Sequence, residues 1–174
     1  MVTADVRNRL QPALLDRLTD DARDNRSGLD EQRVMSKAQL RQAVLRDLSA
    51  LFNAVQPLGT EAAGYPLLTE SVLNYGLPPL SGQLASKLDV SVLERLIREA
   101  IVRYEPRILP DTLQVRALEA TSVLDTHNVI EFEIRGHLWS QPVPLEILLR
   151  TQLDLEAGQV EVRDAAIAPA RART

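Results

Sequence analysis

Apolar positions along this chain recur with two periods, and the period changes once. In "SKAQLRQAVLRDLSALFNAV", Leu40, Val44, Leu48, Leu51, Phe52 and Val55 share one face at helical spacing. The segment predicts a helix of about five turns, with Ser36 as N-cap and Pro57 and Gly59 closing it. The stretch onward to Pro66 reads as a loop. In "VSVLERLIREAIVRY", Leu93, Leu96, Ile97, Ala100, Ile101 and Tyr104 form a second stripe, with Asp89 or Ser91 at its start. Glu94 and Arg98 lie one turn apart there, a pair worth about 0.2–0.5 kcal/mol.

Two weaker patterns flank the first long helix. Leu10, Leu14 and Leu18, with Leu15 beside them, predict a short amphipathic helix over 11–20, and Pro12 suits its first turn. The polar, charged run "TDDARDNRSGLDEQRV" after it reads as a linker. In "TESVLNYGLPPLSG", Thr69 is placed to cap a short helix through Tyr75, and Gly76 suits the left-handed residue that closes it. Pro78 and Pro79 prevent the helix from resuming, so 76–86 reads as an extended connector.

From Asp111 the period becomes two. "TLQVRALEA" reads as a first strand. In "NVIEFEIRGHLW", Ile130, Phe132, Ile134 and Leu138 face one way, and Glu131, Glu133, Arg135 and His137 the other. "PLEILLRTQLDL" sets Leu145, Ile147, Leu149, Leu153 and Leu155 on one face, "EAGQ" turns, and "VEVRD" ends the series. This is an antiparallel meander with one buried face. Helices first and strands afterwards give an α+β class: N-terminal helices on a mainly antiparallel C-terminal sheet of about four strands. The expected division is a short helix and flexible linker over 1–35, one α+β domain over 36–164, and a frayed tail over 165–174.

Composition narrows the function. The 174 residues are 45% hydrophobic, enough for one sizeable core. No cysteine is present, which removes disulfides, thiolate nucleophiles and cysteine metal sites together. A net charge of −4, with arginines interleaved among acids, argues against nucleic-acid binding. No stretch approaches the roughly 20 apolar residues that span a bilayer, and the first residues lack the apolar core of a signal peptide. The expected location is the cytoplasm.

Chemistry-bearing groups are sparse. There is no phosphate loop and no nucleophile elbow. His127 and His137 lie at opposite ends of one strand, about 33 Å apart, too far to share a metal. Glu131 and Glu133 point the same way about 7 Å apart, a spacing two glycosidase acids use. Arg135 and His137 continue that face, which makes it an ordinary solvated strand surface.

The residue that resists a bland account is Glu105, in "IVRYEPRILP". The residue before a proline avoids helical dihedrals, so the helix stops near Tyr104. An acid at a helix C-terminus costs roughly 0.3–1 kcal/mol unless paired. Glu105 either pairs at the surface with Arg98, Arg103 or Arg107, or forms a preset charged corner for a partner protein.

The run of segments resembles the TssE family, a baseplate subunit of the bacterial type VI secretion system. That family is similar to the baseplate wedge protein of contractile-tail phages, on which the tail sheath begins. The resemblance spans about Pro12 to Val162. It rests on "LLDRL", on "LRQAVLRDLSALFN", on "YPLLTESVLNYGLPPLSG", on the Glu-Pro-Arg of "YEPR", and on "IEFEIRGHLWSQPVPLEILLRTQLDLEAGQVEV". The chain departs from the pattern at Pro79, where an acidic residue is expected.

The resemblance implies a structural role without enzyme activity or cofactor: joining the baseplate wedge to the first ring of the contractile sheath. The implied partners are the wedge subunits TssF, TssG and TssK and the sheath subunits TssB and TssC. The implied contacts are strand pairing at a sheet edge, in particular along "VEVRD", and partner binding by Glu105, Pro106 and Arg107 and by Asn74, Tyr75 and Gly76. The Leu10, Leu14 and Leu18 face either folds back on the domain or docks on another wedge subunit. Two rival functions are a lysozyme-like peptidoglycan hydrolase, a label some phage relatives carry, and a free-standing protein-binding adaptor.

Overall fold

A computed structural model describes residues 35–59, 64–80, 89–118 and 129–165 of the chain. The predicted helix over 11–20 with its Leu10, Leu14 and Leu18 face, the linker, the connector beyond residue 80, His127 and the tail from 166 lie outside them.

Helix α1 runs Lys37–Asn53. Ser36 caps it as expected, and reciprocally: Gln39 N–H donates to the Ser36 hydroxyl at 3.2 Å, and Ser36 N–H to the Gln39 side chain at 2.9 Å. Leu40, Val44, Leu48, Leu51 and Phe52 are buried, and Ala43 joins them. Val55 does not: it is 62% exposed. The chain leaves the helix at Ala54 to meet a parallel segment, where Leu77 N–H donates to Ala54 C=O and Gln56 N–H to Leu77 C=O. That crossing fixes Gly76. Its φ is +123°, and a Cβ there would stand 2.3 Å from the Ala54 oxygen, so no other residue fits without backbone movement.

Before that crossing the chain makes two short turns rather than one helix. A single α turn, α2 (Pro66–Thr69), is followed by a 3₁₀ turn, Val72–Asn74. Thr69 therefore ends the first turn, its hydroxyl on Pro66 C=O, and Ser71 caps the second.

Helix α3, Val90–Tyr104, starts at Asp89, whose carboxylate accepts from Ser91 N–H at 2.9 Å. Leu93, Ile97, Ala100 and Ile101 are buried; Leu96 and Tyr104 are only half-buried. The Glu94–Arg98 pair does not form. Glu94 instead accepts from Ala117 N–H at 2.7 Å, while Arg98 reaches Pro110 C=O at 3.4 Å.

The sheet is the expected meander: β1 (Gln114–Ala117), β2 (Val129–Leu138), β3 (Leu145–Asp154) and β4 (Gln159–Asp164), all neighbours antiparallel in that order. Thr112 belongs to a 3₁₀ turn rather than to the first strand. Phe132, Ile134, Leu138, Ile147, Leu149 and Leu153 form the buried face, and α1 and α3 cover it, α1 along β4 and α3 along β1. Full burial of a side chain such as Phe132 contributes about 1.5–3 kcal/mol. Glu131, Arg135 and Arg150 mark the solvated face.

Candidate functional site

Two features stand out: a charged corner where α1, α3 and β2 meet, and the backbone along the sheet's two edges.

The corner begins where α3 ends. Glu105 N–H donates to Ile101 C=O at 2.8 Å, and Pro106 then turns the chain so that Ile108 N–H reaches Glu105 C=O. Glu105 is 3% exposed. Of the arginines considered for it, Arg107 is the partner, but the pair is not at the surface: a helix-terminal acid followed by proline has been turned inward. Its partner is Arg107, which grips it with two side-chain bonds of 2.6 and 2.5 Å and a backbone bond of 3.2 Å. This is a bidentate guanidinium–carboxylate clamp. Arg107 also reaches Asp47 on α1 at 2.6 Å, and Asp47 in turn accepts from Arg46. Burial alone would lower the Arg107 pKa, but Glu105 and Asp47 together raise it above its ordinary value. The guanidinium stays charged wherever the protein is folded.

The same turn is tied to the sheet. Trp139 N–H donates to Arg107 C=O, and Leu109 N–H to His137 C=O. A second ring of contacts brings in the segment around residue 75. Tyr75 and Tyr104 meet edge to face with centroids 5.2 Å apart. Tyr104 hydroxyl donates to Asn74 C=O at 2.8 Å, and Tyr75 hydroxyl to Asp47 C=O at 3.4 Å. Burial pushes the Tyr75 phenol above its ordinary pKa, and the Asp47 and Glu105 carboxylates add to this. A cavity of about 400 Å³ opens beside these groups, with Leu40, Leu48 and Leu51 among its lining.

The two sets of residues singled out from the sequence thus converge on one corner. Within it Glu105, Asn74 and Gly76 are buried, whereas Arg107 and Tyr75 keep part of their surface and Pro106 is exposed. Asp47 was not foreseen. Its signal is position: it sits three residues after Val44 and four before Leu51, an acid inside the apolar stripe.

Glu131 and Glu133 each have a separate partner. Glu131 accepts from Gln152 at 2.7 Å and Glu133 lies 3.7 Å from Arg135, both on the open sheet face. Among the described residues no cluster of ligating groups could hold a metal, and no helix is long and apolar enough to cross a membrane.

The sheet edges follow from the ladder. Along β4, Gln159, Glu161 and Arg163 face β3 with their backbone groups, so Val160, Val162 and Asp164 turn theirs to the open edge. Along β1, Val115 and Ala117 do the same.

A family model for baseplate wedge protein gp25 matches residues 38–143, more than half of the chain. The chain belongs to that family. The gp25 family includes TssE, so the resemblance seen in the segments is correct. The match takes in α1, both short turns, α3, the Glu-Pro-Arg corner and the first two strands. A gp25-family chain has a structural, baseplate wedge-type role, in which it meets other baseplate components. No curated protein and no solved structure matches the chain.

Proposed function

We propose that this gp25-family chain is the type VI secretion baseplate subunit that joins the wedge to the first ring of the contractile sheath. It works in the cytoplasm, has no enzyme activity, and docks on TssF, TssG and TssK on one side and TssB and TssC on the other. The observation that carries the reading is a small antiparallel sheet whose last strand, β4, has no strand beyond it among the described residues, in a chain of a baseplate wedge family. Strand addition to such an edge supplies affinity through main-chain bonds and register through alternate side chains.

The Asp47–Glu105–Arg107 corner acts in this reading as a clamp. It holds the end of α3, the flank of α1 and the end of β2 in one geometry. Pro106, Arg107 and Tyr75 are the parts of it that a neighbouring subunit reaches, with Asn74, Gly76 and Glu105 supporting them from inside. The Leu10, Leu14 and Leu18 face either folds back on the domain or docks on a wedge subunit. The test is co-purification of the tagged full chain from cells, with crosslinks mapped to residues. Recovery of wedge and sheath subunits crosslinked near residues 75, 107 and 162 is expected. Recovery of none of them overturns the proposal.

A further inference from the structure

The double turn between the two long helices carries an apolar surface of its own. Tyr65, Leu67, Val72 and Leu73 are each at least 65% exposed. Large apolar side chains this close together on a surface mark a docking site rather than chance exposure. The backbone beneath them is tied down. Tyr104 hydroxyl lies 3.1 Å from Ser71 C=O and 2.8 Å from Asn74 C=O, and the Asn74 side-chain amide donates to Thr69 C=O at 3.1 Å. The charge of the surrounding chain is one-sided. Between Arg46 and Lys87 there is no lysine or arginine, and the acids there are Asp47, Glu61 and Glu70.

We infer that in the free protein this patch is covered by the chain's own N-terminal segment, the Leu10, Leu14 and Leu18 face lying on Leu67, Val72 and Leu73. Place, reach and charge all favour this occupant. Met35, where the described part of the chain begins, packs against the core and lines the cavity beside Tyr75 and Tyr104. Tyr104 holds the patch through its hydroxyl, so the N-terminal segment sets out from the patch's own neighbourhood. Residues 19–34 separate Leu18 from Met35, and a coil of that length spans about 20 Å, enough to pass a cavity of about 400 Å³. Over residues 7–18, Arg7, Arg9 and Arg17 outnumber the single acid Asp16, the sign that a cation-free, acidic surround accepts.

A second copy of the chain fits less well. Two such patches face to face bring Glu70 toward Glu70, and a tethered segment has an effective concentration on the order of millimolar, which a separate chain does not match. Once covered, the patch no longer recruits other apolar surfaces while the chain is free. This holds whether or not the chain joins wedge to sheath, so the purified chain alone tests it.

The chain has no cysteine, so an introduced pair reports proximity without background. Ala13→Cys with Val72→Cys sets one thiol beside the leucine stripe and one in the patch, leaving Leu67 and Leu73 in place. Ala13→Cys with Arg150→Cys, on the open sheet face, is the control. In oxidised glutathione the 13–72 pair should close within one chain at least about tenfold faster than the 13–150 pair. Adding Leu10→Asp and Leu18→Asp should bring it down to the control rate. Equal rates for the two pairs overturn the inference, and so does a 13–72 rate that the aspartates leave unchanged. A crosslinked dimer in place of the closed monomer makes a second copy the occupant and overturns it as well. None of these outcomes bears on recovery of wedge and sheath subunits from cells, which tests the proposed function separately.

Discussion

Replacing Glu105 by Ala should destabilise the fold, and by an amount that separates a buried clamp from a surface pair. The substitution removes the two side-chain bonds from Arg107, at 2.6 and 2.5 Å, and the one from its backbone N–H. Breaking a buried ion pair costs about 3–5 kcal/mol, because the remaining charge stays behind without compensation. Arg107 is not abandoned completely: its side chain is 26% exposed and keeps Asp47 at 2.6 Å. The expected loss is therefore near the lower bound, about 3 kcal/mol. For a chain of this length that lowers the melting midpoint by roughly 6–12 °C. Urea unfolding at neutral pH, with an unchanged denaturant slope, is the assay. A double-mutant cycle with Arg107→Ala should return a coupling of about 1–3 kcal/mol, the double variant losing less than the sum of the singles. A Glu105→Ala loss below about 1 kcal/mol is what an exposed pair gives, and it would refute the argument that this corner holds the fold together. The same reasoning makes alanine a poor probe of partner contact at Glu105, since lost assembly would then report lost stability.

Asp47→Ala should cost about 1 kcal/mol in the same unfolding assay, because the Asp47 side chain is 30% exposed and solvent shares its work. Gly76→Ala should cost about 1–3 kcal/mol or prevent folding, from a positive φ and a Cβ 2.3 Å from the Ala54 oxygen; a melting curve matching the parent's would contradict the crossing. Ser36→Ala should cost about 1 kcal/mol by loss of the reciprocal cap, read as a lower thermal midpoint. The Tyr75 phenol holds its proton more tightly folded than unfolded. Its contribution is complete below the unfolded tyrosine value of about 10 and is lost as pH rises through the folded value. Tyr75→Phe should therefore flatten the alkaline fall in stability, and parallel curves for the two proteins would count against the burial of that hydroxyl.

Much of this fold is written in periodicity. Leu40, Val44, Leu48 and Leu51 on α1, and the alternation through β2 and β3, are read directly from spacing, because one buried face imposes one period. Val55 was misread because helical spacing continues past the point where Ala54 turns away. Only the parallel contact with Leu77, twenty-two residues on, explains the exit. The two turns around Ser71 were merged for a similar reason: their backbone bonds are closed by Tyr104 from α3, a partner absent from the local sequence. Glu105 was legible as an anomaly and not as a buried ion pair, since its inward turn depends on Arg107 finding Asp47 sixty residues earlier.

A chain that joins the wedge to the first sheath ring is one that sheath assembly needs. Contractile sheaths counted by fluorescence microscopy in cells lacking the chain, and in the same cells carrying it again, measure this directly. Near-complete loss of sheaths, restored by the parent chain and not by Val162→Pro present at equal abundance, is the expected result. Sheaths forming as often without the chain as with it would contradict the account.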